Sequence, residues 1–215
     1  MQFKIETQRL CDACKKASKI AQPESVSIHQ LSGMHIQADA EKRVLRLICT
    51  DMTISIMLKL KEVNITKSGE VIVPARWFSA MLETMSDDEL NITTNEKGLM
   101  KVRSGKANMR FQTLKCEDFP AVNIAFPDNT ICVSGLSLIS KLPVTIDSES
   151  TEMASFQGVQ LKFSEDVSAA VSTDGVRFVK SKRQNIADGE LDITVPERSL
   201  KLLCGIIKPN DDIYI

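Results

Sequence analysis

Apolar and polar residues alternate from Met1 to Glu6, and then the period changes. Over residues 8–21, Leu10, Cys14, Ala17 and Ala21 fall in one narrow sector at 100° per residue, while Gln8, Asp12, Lys15, Lys16 and Lys19 fall opposite. The pattern predicts a strand and then an amphipathic helix with a basic outer face, capped by Thr7 and ended by Pro23. Period two returns over 29–38, 44–49 and 53–60, predicting three strands separated by polar turns. A short strand at 70–73 leads into Pro74, the first position of a second helix whose apolar face is Trp77, Phe78, Met81, Leu82 and Met85. Strands at 89–94, 99–103 and 107–114 complete the unit, and a polar connector with prolines runs on to about Asn129.

The remaining chain repeats this plan. Strands are expected at 130–133, 158–163, 168–172, 177–182 and 191–195, with a short helix at 136–142. Pro196 opens another helix, with Leu200, Leu203, Cys204 and Ile207 on one face and Arg198, Lys201 and Lys208 on the other. Landmarks recur in order: Val73-Pro74 returns 122 residues later as Val195-Pro196, Thr50-Asp51 returns after 123 as Thr173-Asp174, and Gly33 returns after 125 as Gly158. Asp87-Asp88 likewise returns after 124 as Asp211-Asp212. Order and near-constant spacing together imply an internal duplication. The expectation is an α+β chain of two domains, 1–126 and 127–215, each with two helices packed on antiparallel sheets. The second copy stops inside its own sheet, so its last strand is expected to be covered by further polypeptide or by another chain, or to fray.

The 215 residues are 43% apolar and 26% charged, which excludes disorder, and no apolar run approaches a membrane span. The start reads as a strand and carries no secretory signal, so the expected compartment is the cytoplasm, with no membrane partner. The six cysteines lack framework spacing and read as reduced, buried residues; Cys11 and Cys14 form a lone C-x-x-C with no second pair to complete a metal site. No metal and no cofactor is expected. A net charge of −1 makes any nucleic-acid contact a matter of where the cations lie. Asp51 and Asp174 are repeat-equivalent carboxylates, but each follows a threonine at a strand end, where turn capping accounts for it. With no Gly-rich phosphate loop, H-E-x-x-H or Ser-His-Asp constellation, the chain is not expected to be an enzyme.

Several segments carry a resemblance: Met1-Gln2-Phe3-Lys4-Ile5-Glu6, Leu31-Ser32-Gly33, Thr50 to Ile56, Val71 to Arg76, Arg103-Ser104-Gly105, Glu117-Asp118-Phe119-Pro120, Thr173 to Phe178 and Val195-Pro196. In this order and spacing the chain resembles the bacterial DNA polymerase III β subunits, the sliding clamps, across the first domain and most of the second. The resemblance implies tandem clamp-fold domains and a non-catalytic processivity role within a DNA polymerase holoenzyme. Clamps of this family have three domains, and two subunits close a ring lined by helices around duplex DNA.

What it implies for residues follows from the helix faces. Lys15, Lys16, Lys19, Arg76, Lys141, Arg198 and Lys201 are the expected DNA-facing cations, contacting phosphates without reading sequence. Phe156, Thr173, Gly175, Val176, Arg177 and Phe178 are the expected cleft for short peptides from the replicative polymerase and the clamp loader. For Val176 and Phe178, ordinary strand burial is the competing reading. Glu24, Met153-Ala154-Ser155 and Val176 depart from residues common in clamps. They keep open an alternative, a clamp-like module that binds peptides without surrounding DNA.

Overall fold

The computed structural model describes residues 1–23, 29–114, 116–117, 119–122, 130–134, 157–208 and 211–215. The chain divides into two compact units, Met1–Ile124 and Ala125–Ile215. In the first, the strands are β1 (Gln2–Glu6), β2 (Gly33–Asp39), β3 (Val44–Thr50), β4 (Ser55–Leu60), β5 (Asn64–Lys67), β6 (Gly69–Pro74), β7 (Glu89–Thr94), β8 (Leu99–Ser104) and β9 (Ala107–Gln112). The helices are α1 (Thr7–Ser18) and α2 (Ala75–Glu83). The second unit holds β10 (Cys132–Ser134), β11 (Gly158–Phe163), β12 (Val167–Thr173), β13 (Phe178–Gln184), β14 (Leu191–Pro196), α3 (Glu197–Ile206) and β15 (Asp212–Tyr214).

Alternation decides which residues of β1 face inward: Phe3 and Ile5 are buried while Gln2, Lys4 and Glu6 are exposed. β1 lies between β5 and β7 in an antiparallel five-stranded sheet of order β5-β1-β7-β8-β9. The other sheet of this unit has the order β4-β3-β2-β6. α1 and α2 pack side by side. Their apolar faces, Leu10, Cys14 and Ala17 on one and Phe78, Met81 and Leu82 on the other, are buried.

The second unit reproduces both arrangements. Its four-stranded sheet runs β13-β12-β11-β14, strand for strand the order of β4-β3-β2-β6. β10 pairs with β15 as β1 pairs with β7. Its core is Val133, Val159, Leu161, Phe163, Ala170 and Leu200. Among the described residues β15 pairs with β10 alone.

Several boundaries differ from the sequence reading, each for a tertiary reason. Thr7 is not a cap: it is the first helical residue, its hydroxyl donates to the Asp87 carbonyl at 2.5 Å and its N–H to the Asp88 carbonyl at 2.8 Å. A distant loop supplies what a local side chain was expected to supply. Pro74 likewise closes β6 and precedes α2 rather than opening it. Residues 29–32 form a single 3-10 turn before β2. β5 has no counterpart in the predicted elements, since four residues are too short to show a period and the strand exists through pairing with β1. The predicted helix at 136–142 lies outside the described residues. Among the described residues no helix is long and apolar enough to cross a membrane.

Candidate functional site

The turn joining β12 to β13 is built by two side chains. Thr173 Oγ1 donates to the Arg177 carbonyl at 2.7 Å and accepts from the Gly175 N–H at 3.1 Å. Asp174 Oδ1 accepts from the N–H groups of Val176 at 3.0 Å and Arg177 at 2.6 Å. Gly175 takes φ +85°, the left-handed conformation this loop needs and glycine adopts without strain. The first unit repeats the device: Asp51 Oδ1 accepts from Thr53 at 2.9 Å and Ile54 at 2.7 Å, Thr50 Oγ1 accepts from the Met52 N–H, and Met52 has φ +74°. Both repeat-equivalent aspartates therefore cap turns.

The two turns differ at the fourth residue. Ile54 stands in the first, but Arg177 folds back so that its Nε and Nη2 both lie 2.8 Å from Asp174 Oδ2. The backbone N–H of Arg177, that of Val176 and then the guanidinium hold the Asp174 carboxyl down at about 2, against the usual 3.8. Because the folded value lies below the unfolded one, the stabilisation is complete above the ordinary carboxylate range. It is lost as pH falls from about 4 through about 2. We expect the carboxyl resonance of Asp174 to titrate near 2 by NMR, and the stability gap to Asp174→Asn to close over that window. A midpoint at 3.8 would show that the turn does not form in solution.

This scaffold holds an apolar pair in the open. Val176 is 93% exposed and Phe178 65% exposed, so the strand-burial reading of these two residues is overturned. Burial alternates along β13, with Val179 half-buried and Phe178 on the outward side. Thr173, Gly175, Val176, Arg177 and Phe178 are thus brought together on one turn, Thr173 pairing directly with Phe178. Phe156 lies outside the described residues. The sequence reading gives Asp174 a capping role alone; the geometry adds that it aims Arg177. The signal was present as an Asp and an Arg three residues apart.

The expected DNA-facing cations are less uniform. Lys15 is exposed on α1 but lies 3.6 Å from Glu83 of α2, Lys16 is half-buried, and Lys19 is exposed at the C-terminal cap of α1. Arg76 is exposed in the first turn of α2 and donates to the Ala21 carbonyl at 3.1 Å. These four gather on the paired helices of the first unit. In the second, Arg198 and Lys201 are exposed on α3, and Lys201 forms an i,i+4 ion pair with Glu197. Lys141, Glu24 and Met153-Ala154-Ser155 lie outside the described residues. The arrangement supplies long cations in different states of engagement, which suits loose phosphate contact rather than a fixed anion pocket.

Cys14 and Cys49 are not set up as reactive thiols. Burial pushes the Cys14 thiol well up, and Cys49 up to about 12, whereas a reactive thiol needs a lowered value.

Comparison with known proteins places this geometry. Residues 1–123 match the family described as DNA polymerase III beta subunit, N-terminal domain. The chain belongs to that family. It is 26% identical to the beta sliding clamp of Chlamydia muridarum, over 84% of this chain and 49% of that protein. It is 22% identical to the beta sliding clamp of Halalkalibacterium halodurans, over 99% and 59% respectively. The chain thus spans about half to three-fifths of the length of these β subunits. In fold it is similar to the DNA polymerase sliding clamp of Bacillus subtilis, with a TM-score of 0.86 and 22% identity over 100% of this chain and 59% of that one. It is also similar to the Helicobacter pylori beta clamp bound to a DNA ligase peptide, with a TM-score of 0.75 and 14% identity over 99% and 60%. The α+β architecture of tandem units is that of the β subunits.

Proposed function

We propose that this chain works as the N-terminal part of a DNA sliding clamp, a non-catalytic processivity factor of the replicative polymerase. In this reading the cations of α1, α2 and α3 face duplex DNA without reading its sequence, and the full-length protein pairs with a second copy into a ring. The β12–β13 turn docks short peptides of the polymerase and the clamp loader, and the protein works in the cytoplasm. Two domains, 1–126 and 127–215, are the organisation on which the reading rests.

The observation that carries it is the exposure of Val176 and Phe178 on a turn made rigid by Asp174. An apolar anchor site costs free energy while open to water, and a preformed turn lowers the ordering cost when a peptide binds. The peptide bound to the Helicobacter pylori clamp supports this choice of partner class. A peptide with Gln, Leu and Phe anchors, titrated into the chain by calorimetry, is expected to bind about tenfold more weakly to Phe178→Ala. If Phe178→Ala and Arg177→Ala both leave the affinity unchanged, the cleft is elsewhere.

The engagement of Lys15, Lys201 and Arg76 by acceptors of the chain itself favours a second reading, a peptide-binding module that does not surround DNA. The two separate on duplex DNA. The clamp reading expects binding that falls steeply with salt and weakens in the Arg76→Ala/Arg198→Ala double variant; the module reading expects neither.

A further inference from the structure

We propose that His35, Glu70 and Cys116 form a binding site for a zinc-class divalent cation on the four-stranded sheet of the first unit. One donor atom from each residue lies within 4.8 Å of the other two. Sheet register brings two of them together. β2 and β6 are antiparallel neighbours with Gln37 opposite Glu70 and His35 opposite Ile72, so His35 and Glu70 are diagonal on one face. His35 Nε2 sits 2.9 Å from Glu70 Oε2, and the Gln37 side-chain amide donates to the same oxygen at 3.2 Å.

The third donor comes from the return segment after β9. Leu114 bridges antiparallel to Ile72, its N–H donating to the Ile72 carbonyl at 2.9 Å, so the chain two residues on runs beside Glu70. The Phe119 N–H donates to the Cys116 carbonyl at 3.1 Å, and the Phe119 ring centre lies 4.9 Å from that of His35. A cavity of about 230 Å³ is lined by His35, Cys116, Phe119 and Met57, among others.

The donor set names the ion class. Imidazole nitrogen, carboxylate oxygen and sulfur suit zinc, whereas magnesium and calcium require oxygen throughout. Tetrahedral metal–ligand bonds of about 2.0–2.3 Å set donors about 3.3–3.8 Å apart, so on binding the widest pair closes by about 1–1.5 Å and the His35–Glu70 pair opens by about 0.4 Å. Three protein ligands leave a fourth position for water. Gln37 would hold the Glu70 carboxylate as supporting partners hold metal ligands. His35 is 8% exposed and Cys116 half-buried, while Glu70 is exposed and gives the ion its way in from solvent.

The test is titration of the chain with zinc against a chromophoric chelator, and with cobalt to read the thiolate-to-metal absorption. One ion per chain is expected, with about 100-fold weaker binding in Cys116→Ser and His35→Gln and unchanged binding in Cys204→Ser. Cys116 is half-buried, so its serine variant should keep the fold, and the zinc-dependent rise in melting temperature should vanish in it. Equal zinc affinity in wild type and Cys116→Ser, or cobalt binding with no thiolate band, would overturn the assignment.

Discussion

Phe78→Ala is expected to destabilise the first unit by about 3–5 kcal/mol, the cost of deleting a buried aromatic ring and leaving a cavity. Phe78 is fully buried on α2, and its ring centre lies 6.0 Å from that of Phe111 in β9. It therefore holds the helix to the sheet. Removing it should both expose the α2 face and loosen β9, which is otherwise open along most of its length. Trp77 is the chain's single tryptophan, and it stacks edge-on against the same Phe111 at 4.8 Å. Its fluorescence thus reports unfolding of this unit directly during urea titration. The control is Met52→Ala, at a side chain 67% exposed, expected to change stability by no more than about 0.5 kcal/mol. Equal losses from the two substitutions would show that Phe78 is not a packing centre.

Gly158→Ala is expected to cost about 1–3 kcal/mol, through overpacking rather than backbone strain. A Cβ there would lie 2.7 Å from the Val195 carbonyl oxygen and 3.0 Å from Thr194 Cγ2. The obstacle is backbone held in register, since β11 and β14 pair from Gly158 opposite Pro196 to Phe163 opposite Leu191. It cannot swing aside as a side chain could, so the ladder must part. Gly33, opposite Pro74 in the first unit, is confined as well, there chiefly by the side chain of Ile72 through its Cγ2 and also by the Gln30 carbonyl at 3.1 Å. Hydrogen exchange should show faster exchange of the β14 amides in Gly158→Ala, and unchanged protection would mean that the strands do not approach so closely.

These glycines show how much of the fold is legible in the sequence. Two glycines, two Val-Pro pairs and two Thr-Asp pairs at near-equal offsets reveal a duplication, and the structure gives each pair the same place in the same strand order. Alternation located nearly every strand, because the two faces of a strand differ in exposure and the period survives in sequence. It left two readings open for Phe178, because alternation assigns the residue to one face without saying that this face meets water. The N-terminus of α1 was misread for another reason. The Thr7 N–H is satisfied by the Asp88 carbonyl and its hydroxyl by the Asp87 carbonyl, which no local pattern around Thr7 announces.

The candidate sites divide along the same line. The turn from Thr173 to Phe178 is contiguous, so its residues could be named together from sequence alone. The cations could be placed on helix faces, but their partners could not: Glu83 reaches Lys15 from another helix and Ala21 reaches Arg76 across the helix pair. His35, Glu70 and Cys116 read separately as a strand histidine, a strand-edge carboxylate and an unpaired thiol, and only the neighbouring of β2, β6 and the return segment joins them. By itself the sequence determined the repeat, the order of strands and helices and the aspartate-capped turns, because periodicity and turn chemistry act over a few residues. Tertiary structure alone decided which apolar face meets water, which cations are engaged and which donors converge, because strand order and register bring together residues far apart along the chain.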